Sequence, residues 1–315
     1  MEAADKNKYI DFCDKNKDLP IFFKYWWLDA TCGKDNWDII FVKKKEKIIA
    51  VFPVFIKNIG IYKSITNPLL TPRLGVWINY PDNQKYTSKI GLENEIFSEI
   101  ITRLPKHKIF TLNFYYNLNN WLPFYWNNFK QTTKYSYIID DLSDLEKVFA
   151  NFKSNIRNKI RKAEKLVNIE FSDDLQAFYN VNKLTYDRQN KKIPYTFEQI
   201  KKIDDACVKN NSRKILLAKD SDNNIHAGLY LIFDNNYSYQ LMLGINQNYA
   251  SSGAASLLIW EAVKFSSTIT KHYDFEGSIV KNIETFFRSF GGKQVPYYKI
   301  MKYNSLILKL AKSFM

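Results

Sequence analysis

Asp274 and Glu276 stand two residues apart in HYDFEG, and residues 272–277 read as a strand. Strand alternation sends residues i and i+2 to one face, so both carboxylates should project together. Carboxylates that close push one pKa upward, which suits a general base taking a proton from an amine. Tyr273 and Tyr297 are candidate phenolic acids, although with 21 tyrosines in the chain a nearby one carries little information. The competing reading is structural: Asp274 anchors the loop before Gly277 and Ser278, and Glu276 pairs with a lysine.

A second cluster is cationic. Phe152, Ile156, Ile160, Ala163 and Val167 recur at helical spacing and form one apolar stripe. Lys153, Arg157, Arg161 and Lys165 form a parallel stripe, with Lys159 and Lys162 beside it and Glu164 alone opposing. Like charges at i,i+4 cost helix stability. A stripe of one sign is therefore a candidate phosphate site, and a solvated face is the alternative. Arg188 and Gln189, in TYDRQNKKIPY, fall where a helix gives way to a loop, a common place for substrate contacts. Arg288 projects from a short late helix and is a further candidate for an anionic group.

These groups need a scaffold. The chain has 315 residues, enough for one large or two ordinary domains, and 46% hydrophobic content marks a packed globular protein. Its 46 basic against 32 acidic residues leave a net charge of +14, which favours an anionic partner such as nucleic acid, phosphate or a membrane surface. Six of those basic residues lie in 153–165. The remainder is scattered, so composition does not make the chain a general nucleic-acid binder.

Several chemistries are set aside. No G-x-S-x-G, H-E-x-x-H, P-loop or G-x-G-x-x-G pattern occurs. His107, His226 and His272 lie in separate segments without ligand spacing, so no metal is expected. Cys13, Cys32 and Cys207 are too few for a disulfide framework, which fits a reducing compartment. The polar opening and the absence of a long apolar run lead to an expectation of a soluble, cytoplasmic protein. The apolar and basic stretch at 303–315 should dock on the body, with peripheral membrane contact at the inner face as the outside reading.

The elements alternate. A helix at 20–33 precedes a hairpin at 37–58 that turns on KKKEK, then a helix at 91–105 and strands at 106–116 and 134–142. The longest helical pattern, 141–166, opens a second unit with helices at 174–189 and 196–210. Strands at 214–220, 226–234 and 237–245 follow, the last two joined by Asn235-Asn236. A helix at 252–267, a strand at 272–277, a helix at 283–291 and a strand near 295–302 close the chain. The fold class is α/β, with mixed, mostly antiparallel sheets flanked by helices, divided as 1–135 and 136–315.

That order, with NIRNKIRKAEK (155–165), TYDRQ (185–189), DFEGS (274–278) and IETFFRSFGG (283–292), resembles the GNAT acyltransferases, in the branch containing the Fem-type aminoacyltransferases. The resemblance implies tandem GNAT-like halves, the first decayed, and acyl or aminoacyl transfer to an amine of an envelope precursor. Acyl-CoA or aminoacyl-tRNA would be the co-substrate, with no tightly bound cofactor. The acceptor would be a small-molecule or lipid-linked substrate. It also implies that backbone N–H groups near Leu243 to Ile245, and at Ser252, Gly253 and Ala254, orient the donor. Two departures stand out. The run Ala250-Ser251-Ser252-Gly253-Ala254-Ala255 lacks the leading Gln or Arg of a CoA pyrophosphate turn, and Phe287 stands where many relatives carry an acidic tyrosine. The rival from another class is a non-catalytic protein that recognises RNA or an anionic polysaccharide through the basic helix.

Overall fold

The computed structural model describes residues 3–116 and 118–304. The chain divides into two compact units, one of residues 1–134 with the chain from Pro296 onward, the other Tyr135–Val295. The strand after Val295 thus returns to the first unit, which a single cut at 135/136 does not anticipate. The stretch read at 303–315 lies outside the described residues beyond Asn304. No described helix is long and apolar enough to cross a membrane.

The first unit runs α1 (Ala3–Lys15), α2 (Tyr25–Cys32), β1 (Trp37–Lys44), β2 (Lys47–Ile59), β3 (Tyr62–Thr66), β4 (Trp77–Ile78), α3 (Tyr86–Arg103), β5 (Ile109–Asn113) and α4 (Leu122–Trp126). The KKKEK charges make the expected turn, with Lys45 at φ +54° between paired arms. Strand β6 (Lys130–Ile139) leads into the second unit: α5 (Leu145–Ala150), α6 (Ser154–Ala163), β7 (Asn168–Ser172), α7 (Leu175–Asp187), α8 (Phe197–Lys209), β8 (Arg213–Lys219), β9 (Ile225–Phe233), β10 (Tyr237–Ile245), α9 (Ala254–Ser267), β11 (His272–Asp274) and α10 (Lys281–Arg288). Strand β12 (Lys293–Tyr303) closes the described chain.

In the first unit the strand order is β1-β2-β3-β5-β12, with β4 on β2 and β3–β5 parallel. In the second it is β6-β11-β10-β9-β8-β7, antiparallel except for β10–β11. Strand alternation assigns the two faces of the second sheet. Ala227, Leu229 and Leu231 join the core built by α6 and α9, while Gly228 faces α7. Gly228 pairs with Gly244 across β9 and β10. A Cβ at Gly244 would come within 2.6 Å of the Asn182 backbone, and one at Gly228 within 2.9 Å of Val181 Cγ1. The paired glycines let α7 lie hard against the sheet.

Two expectations are corrected. The helix read over 141–166 is broken into α5 and α6, because the turn after α10 fills the gap between them. Lys153 N–H donates to the Ser289 carbonyl at 2.9 Å, and Gly291, at φ +74°, approaches the Asn151 carbonyl oxygen so closely that a Cβ would lie 2.8 Å from it. The apolar stripe survives the break: Phe152, Ile156, Ile160, Ala163 and Val167 are all buried. The strand read over 272–277 ends at Asp274, since Glu276 at φ +62° and Gly277 at φ +52° take left-handed backbone that no strand continues.

Candidate active site

The 14-residue helix α9 starts at Gly253, which has φ +83° and offers no side-chain cap. Its amino end, the preceding turn Gln247–Ser252, the end of β10, Lys159 of α6 and Arg188 at the end of α7 enclose a cavity of about 180 Å³. Ile245, Ser252, Gly253, Ala254 and Arg188, all anticipated from sequence, line it together. A helix amino terminus presents N–H groups and a positive dipole end, and two cationic side chains stand beside it, an arrangement whose chemistry suits an anion.

Gly253 is small for a second reason. A Cβ there would lie 2.5 Å from the Lys159 carbonyl oxygen. Lys162 Nζ donates to the Ser251 carbonyl at 2.9 Å, a second tie between α6 and the same turn. Two of the proposed donor N–H groups are already engaged: Ile245 N–H bonds to Thr185 Oγ1 at 2.9 Å, and Ala254 N–H to Ser252 Oγ at 3.2 Å. Thr185 belongs to the TYDRQ segment, so that motif fixes the end of β10. Leu243 packs against the core and lies outside the cavity.

The other predicted residues are elsewhere. Arg157 is a structural residue: its Nη1 donates to the Ala150 carbonyl at 2.7 Å and to Phe152 at 2.6 Å, closing the end of α5. Arg161 is exposed and reaches Asn158 Oδ1 at 3.5 Å. Gln189 is exposed past the end of α7, where Lys191 Nζ meets its Oε1 at 3.4 Å. Arg288 pairs with Glu284 at 2.7 Å, and Glu284 also accepts from Tyr137 OH. These bonds hold the Glu284 carboxyl below its usual range, the Tyr137 contribution being largest.

The carboxylate pair is not the strand-face pair the spacing predicted. Asp274 is fully buried, and its Oδ1 accepts from Ser136 Oγ and from the Glu276 N–H, the latter at 2.8 Å. It therefore anchors the turn, as the structural alternative held. Glu276 itself is half-buried beyond the end of the strand. Gly277 approaches the Tyr135 carbonyl so closely that no side chain fits. The turn is held from both ends, and a non-glycine residue in left-handed backbone at its centre is the kind of strain that clusters at functional sites. Tyr273 is fully buried, and its OH donates to Gln240 Oε1 at 3.0 Å. Burial pushes its pKa well up, so it keeps its proton inside the core instead of serving an open cleft. Phe287 packs on Phe275, with ring centroids 5.8 Å apart.

Strands β10 and β11 pair from Tyr237–His272 to Tyr239–Asp274. Beyond that register β10 continues to Ile245, while the chain after β11 turns at Glu276. The two strands are unpaired beyond that register.

Sequence reasoning missed His226 and Tyr249. Their rings stack at 4.0 Å and 9° on the cavity wall. His226 Nε2 lies 3.1 Å from Asp220 Oδ2, and Nδ1 is buried with no hydrogen-bond partner among the described residues. The spacing of three scattered histidines carried no signal of this contact. Lys159 was visible only as a member of the cationic stripe, and Ala250 and Ala255 only as parts of the run before the helix.

Residues 150–277 match the acetyltransferase (GNAT) domain family. The fold of the whole chain is similar to that of FemX, with a TM-score of 0.68 at 13% identity over 97% of this chain and 98% of that one. It is similar also to L-PGS from Bacillus licheniformis, with a TM-score of 0.55 at 11% identity over 97% and 94% of the two chains. A third similar structure is the C-terminal DUF2156 domain assigned to a lysylphosphatidylglycerol synthetase of Agrobacterium fabrum, with a TM-score of 0.56 at 13% identity over 98% and 96%. No curated protein sequence matches the chain. Within the matched residues, Ala250 stands at the cavity where a Gln or Arg was expected, and Lys159 and Arg188 bring cationic side chains to the same cavity.

Proposed function

We propose that the protein is an N-acyltransferase whose GNAT domain holds a phosphate-bearing acyl donor at the α9 cavity and passes the acyl group to an amine in the opening between β10 and β11. The observation that carries this reading is the convergence of Lys159, Arg188 and the amino end of α9 on one cavity. Acyl-CoA is the first donor, its pyrophosphate meeting those groups. Glu276 is the general base: it takes a proton as the amine nitrogen bonds to the acyl carbon, and the C–S bond breaks to release the thiolate. Asp274 positions it by accepting its backbone N–H.

Aminoacyl-tRNA is the second donor, favoured by whole-chain similarity to FemX and to structures named for lysylphosphatidylglycerol synthesis. The acceptor is an amine-bearing envelope precursor, small or lipid-linked. Isothermal titration of the full chain with acetyl-CoA, longer acyl-CoAs and charged tRNA tests the reading. Micromolar binding of an acyl-CoA that weakens in Lys159→Ala is expected. Binding of none of these ligands overturns the enzyme reading. Affinity for RNA or an anionic polysaccharide that falls steeply with salt, without turnover, would favour the non-catalytic alternative.

A further inference from the structure

One end of the first unit's sheet is both apolar and basic where it meets solvent. At the β2–β3 tip, Ile61 is 90% exposed and Ile59 47%. On α4, Tyr125 and Trp126 are 61% and 58% exposed, with Leu122 beside them at 46%. Isolated exposed apolar residues need no explanation, but five large ones on two elements do.

The two elements are tied to the same end of the sheet. Lys108 N–H donates to the Lys63 carbonyl at 2.9 Å, next to the hairpin tip, and Asn304 N–H donates to Lys108 at 2.8 Å. Two residues earlier on β12, Lys302 Nζ donates to the Asn127 carbonyl at the end of α4, at 2.9 Å. The Lys302 ammonium also lies 4.7 Å from the Phe129 ring centroid, and Phe129 packs on Phe110 of β5 at 5.1 Å.

The charge around this end has one sign. Residues 105–134 and 295–304 contain no Asp or Glu. Lys63, Lys106, Lys108 and Lys130 are exposed there. Helix α3 flanks α4 through Phe97 and Phe124, 5.6 Å apart. On α3, Glu93 is buried against Tyr80, Glu99 is paired with Arg103, and Glu95 is exposed.

We infer that this end of the sheet docks on an anionic bilayer surface, with Ile61 and Trp126 entering the headgroup region and the lysines meeting lipid phosphates. Trp and Tyr favour the membrane–water interface because each has an apolar body and a polar tip, and juxtaposed lysines add attraction to anionic headgroups. Aliphatic Ile59, Ile61 and Leu122 favour a lipid surface over single-stranded RNA, whose bases stack on aromatic rings.

The test is sedimentation of the full chain with vesicles of equal phosphatidylglycerol and phosphatidylcholine, and with phosphatidylcholine alone. We expect partition onto the anionic vesicles that weakens with salt, and little onto the neutral ones. The double variants Ile61→Asp with Trp126→Ser, and Lys106→Glu with Lys108→Glu, should each lower the partition coefficient about tenfold or more without changing Tm, since these side chains are exposed. Absence of vesicle binding, or variants that partition like the wild type, overturns the inference. Bulk tRNA binding that these substitutions weaken, with vesicles ignored, overturns it as well and assigns the surface to RNA.

Discussion

Gly253 at the start of α9 sits against the main chain of Lys159 in α6, with room for no Cβ between them. The contact joins the two elements that supply the cavity with its helix terminus and one of its cations. Gly253→Ala has to push α6 away and also holds an alanine at φ +83°. A loss of about 1–3 kcal/mol is expected, read as a lower Tm, together with weaker acyl-CoA binding. A variant with unchanged Tm and affinity would contradict the role assigned to this contact.

Charges along one helix should separate by function. Lys159→Ala and Arg188→Ala should each weaken donor binding about tenfold or more, as expected for a lost charge-assisted contact, while leaving Tm near the wild-type value. Arg157→Ala should do the reverse, costing about 1 kcal/mol or more of stability through the freed Ala150 and Phe152 carbonyls with donor affinity intact. Titration calorimetry and thermal melts on the three variants read both effects.

Glu276→Gln should lower kcat about 10²-fold or more while donor affinity holds, the range for loss of a general base. Asp274→Asn should lower kcat less and also lower Tm, since Asp274 acts through the turn it anchors. Steady-state rates with an amine acceptor decide this, and full activity in Glu276→Gln removes it from the mechanism.

The second unit contains a buried ion pair whose loss should be felt in stability. Arg213 Nε meets Asp204 Oδ1 at 2.9 Å with both side chains under a tenth exposed, and Tyr230 OH donates to the same carboxylate at 2.7 Å. Asp204→Ala leaves the Tyr230 phenol without this acceptor and the guanidinium held by the exposed Asp173 at 2.5 Å, at a cost of about 1–3 kcal/mol. Chemical denaturation measures it.

Acid should weaken the protein in two steps. Burial holds the His107 imidazole below its ordinary pKa, so the folded state favours the neutral ring. That contribution is complete above the unfolded value near 6.5 and is lost as pH falls through the lower folded value. Asp220 is held down to about 2, first by the Asn224 side chain. Its contribution is complete above about 4 and is lost as pH falls towards 2. His107→Gln should flatten the upper limb of Tm against pH and Asp220→Asn the lower one. Unchanged limbs would assign the acid response to other groups.

Elements whose apolar pattern repeats locally were legible from the residues alone. The hairpin on KKKEK, the strand pair closed by Asn235-Asn236, and the stripe from Phe152 to Val167 follow from periodicity and turn chemistry, which depend on near neighbours. The alternation of helices with antiparallel strands was legible for the same reason, and the GNAT fold came from the resemblance of that order and its segments to the family.

The use of each polar side chain depended on contacts made by the folded chain. One cationic stripe became a carbonyl clamp at Arg157, a cavity wall at Lys159 and a tether to the 247–252 turn at Lys162, because different segments arrive opposite each position. The paired carboxylates were separated by left-handed backbone at Glu276, in a turn held by Asp274 at one end and by the close approach of Gly277 to Tyr135 at the other. His226 gained its neighbours from Asp220 and Tyr249. A side chain's role is set by what faces it across long sequence distances, and spacing along the chain does not encode that.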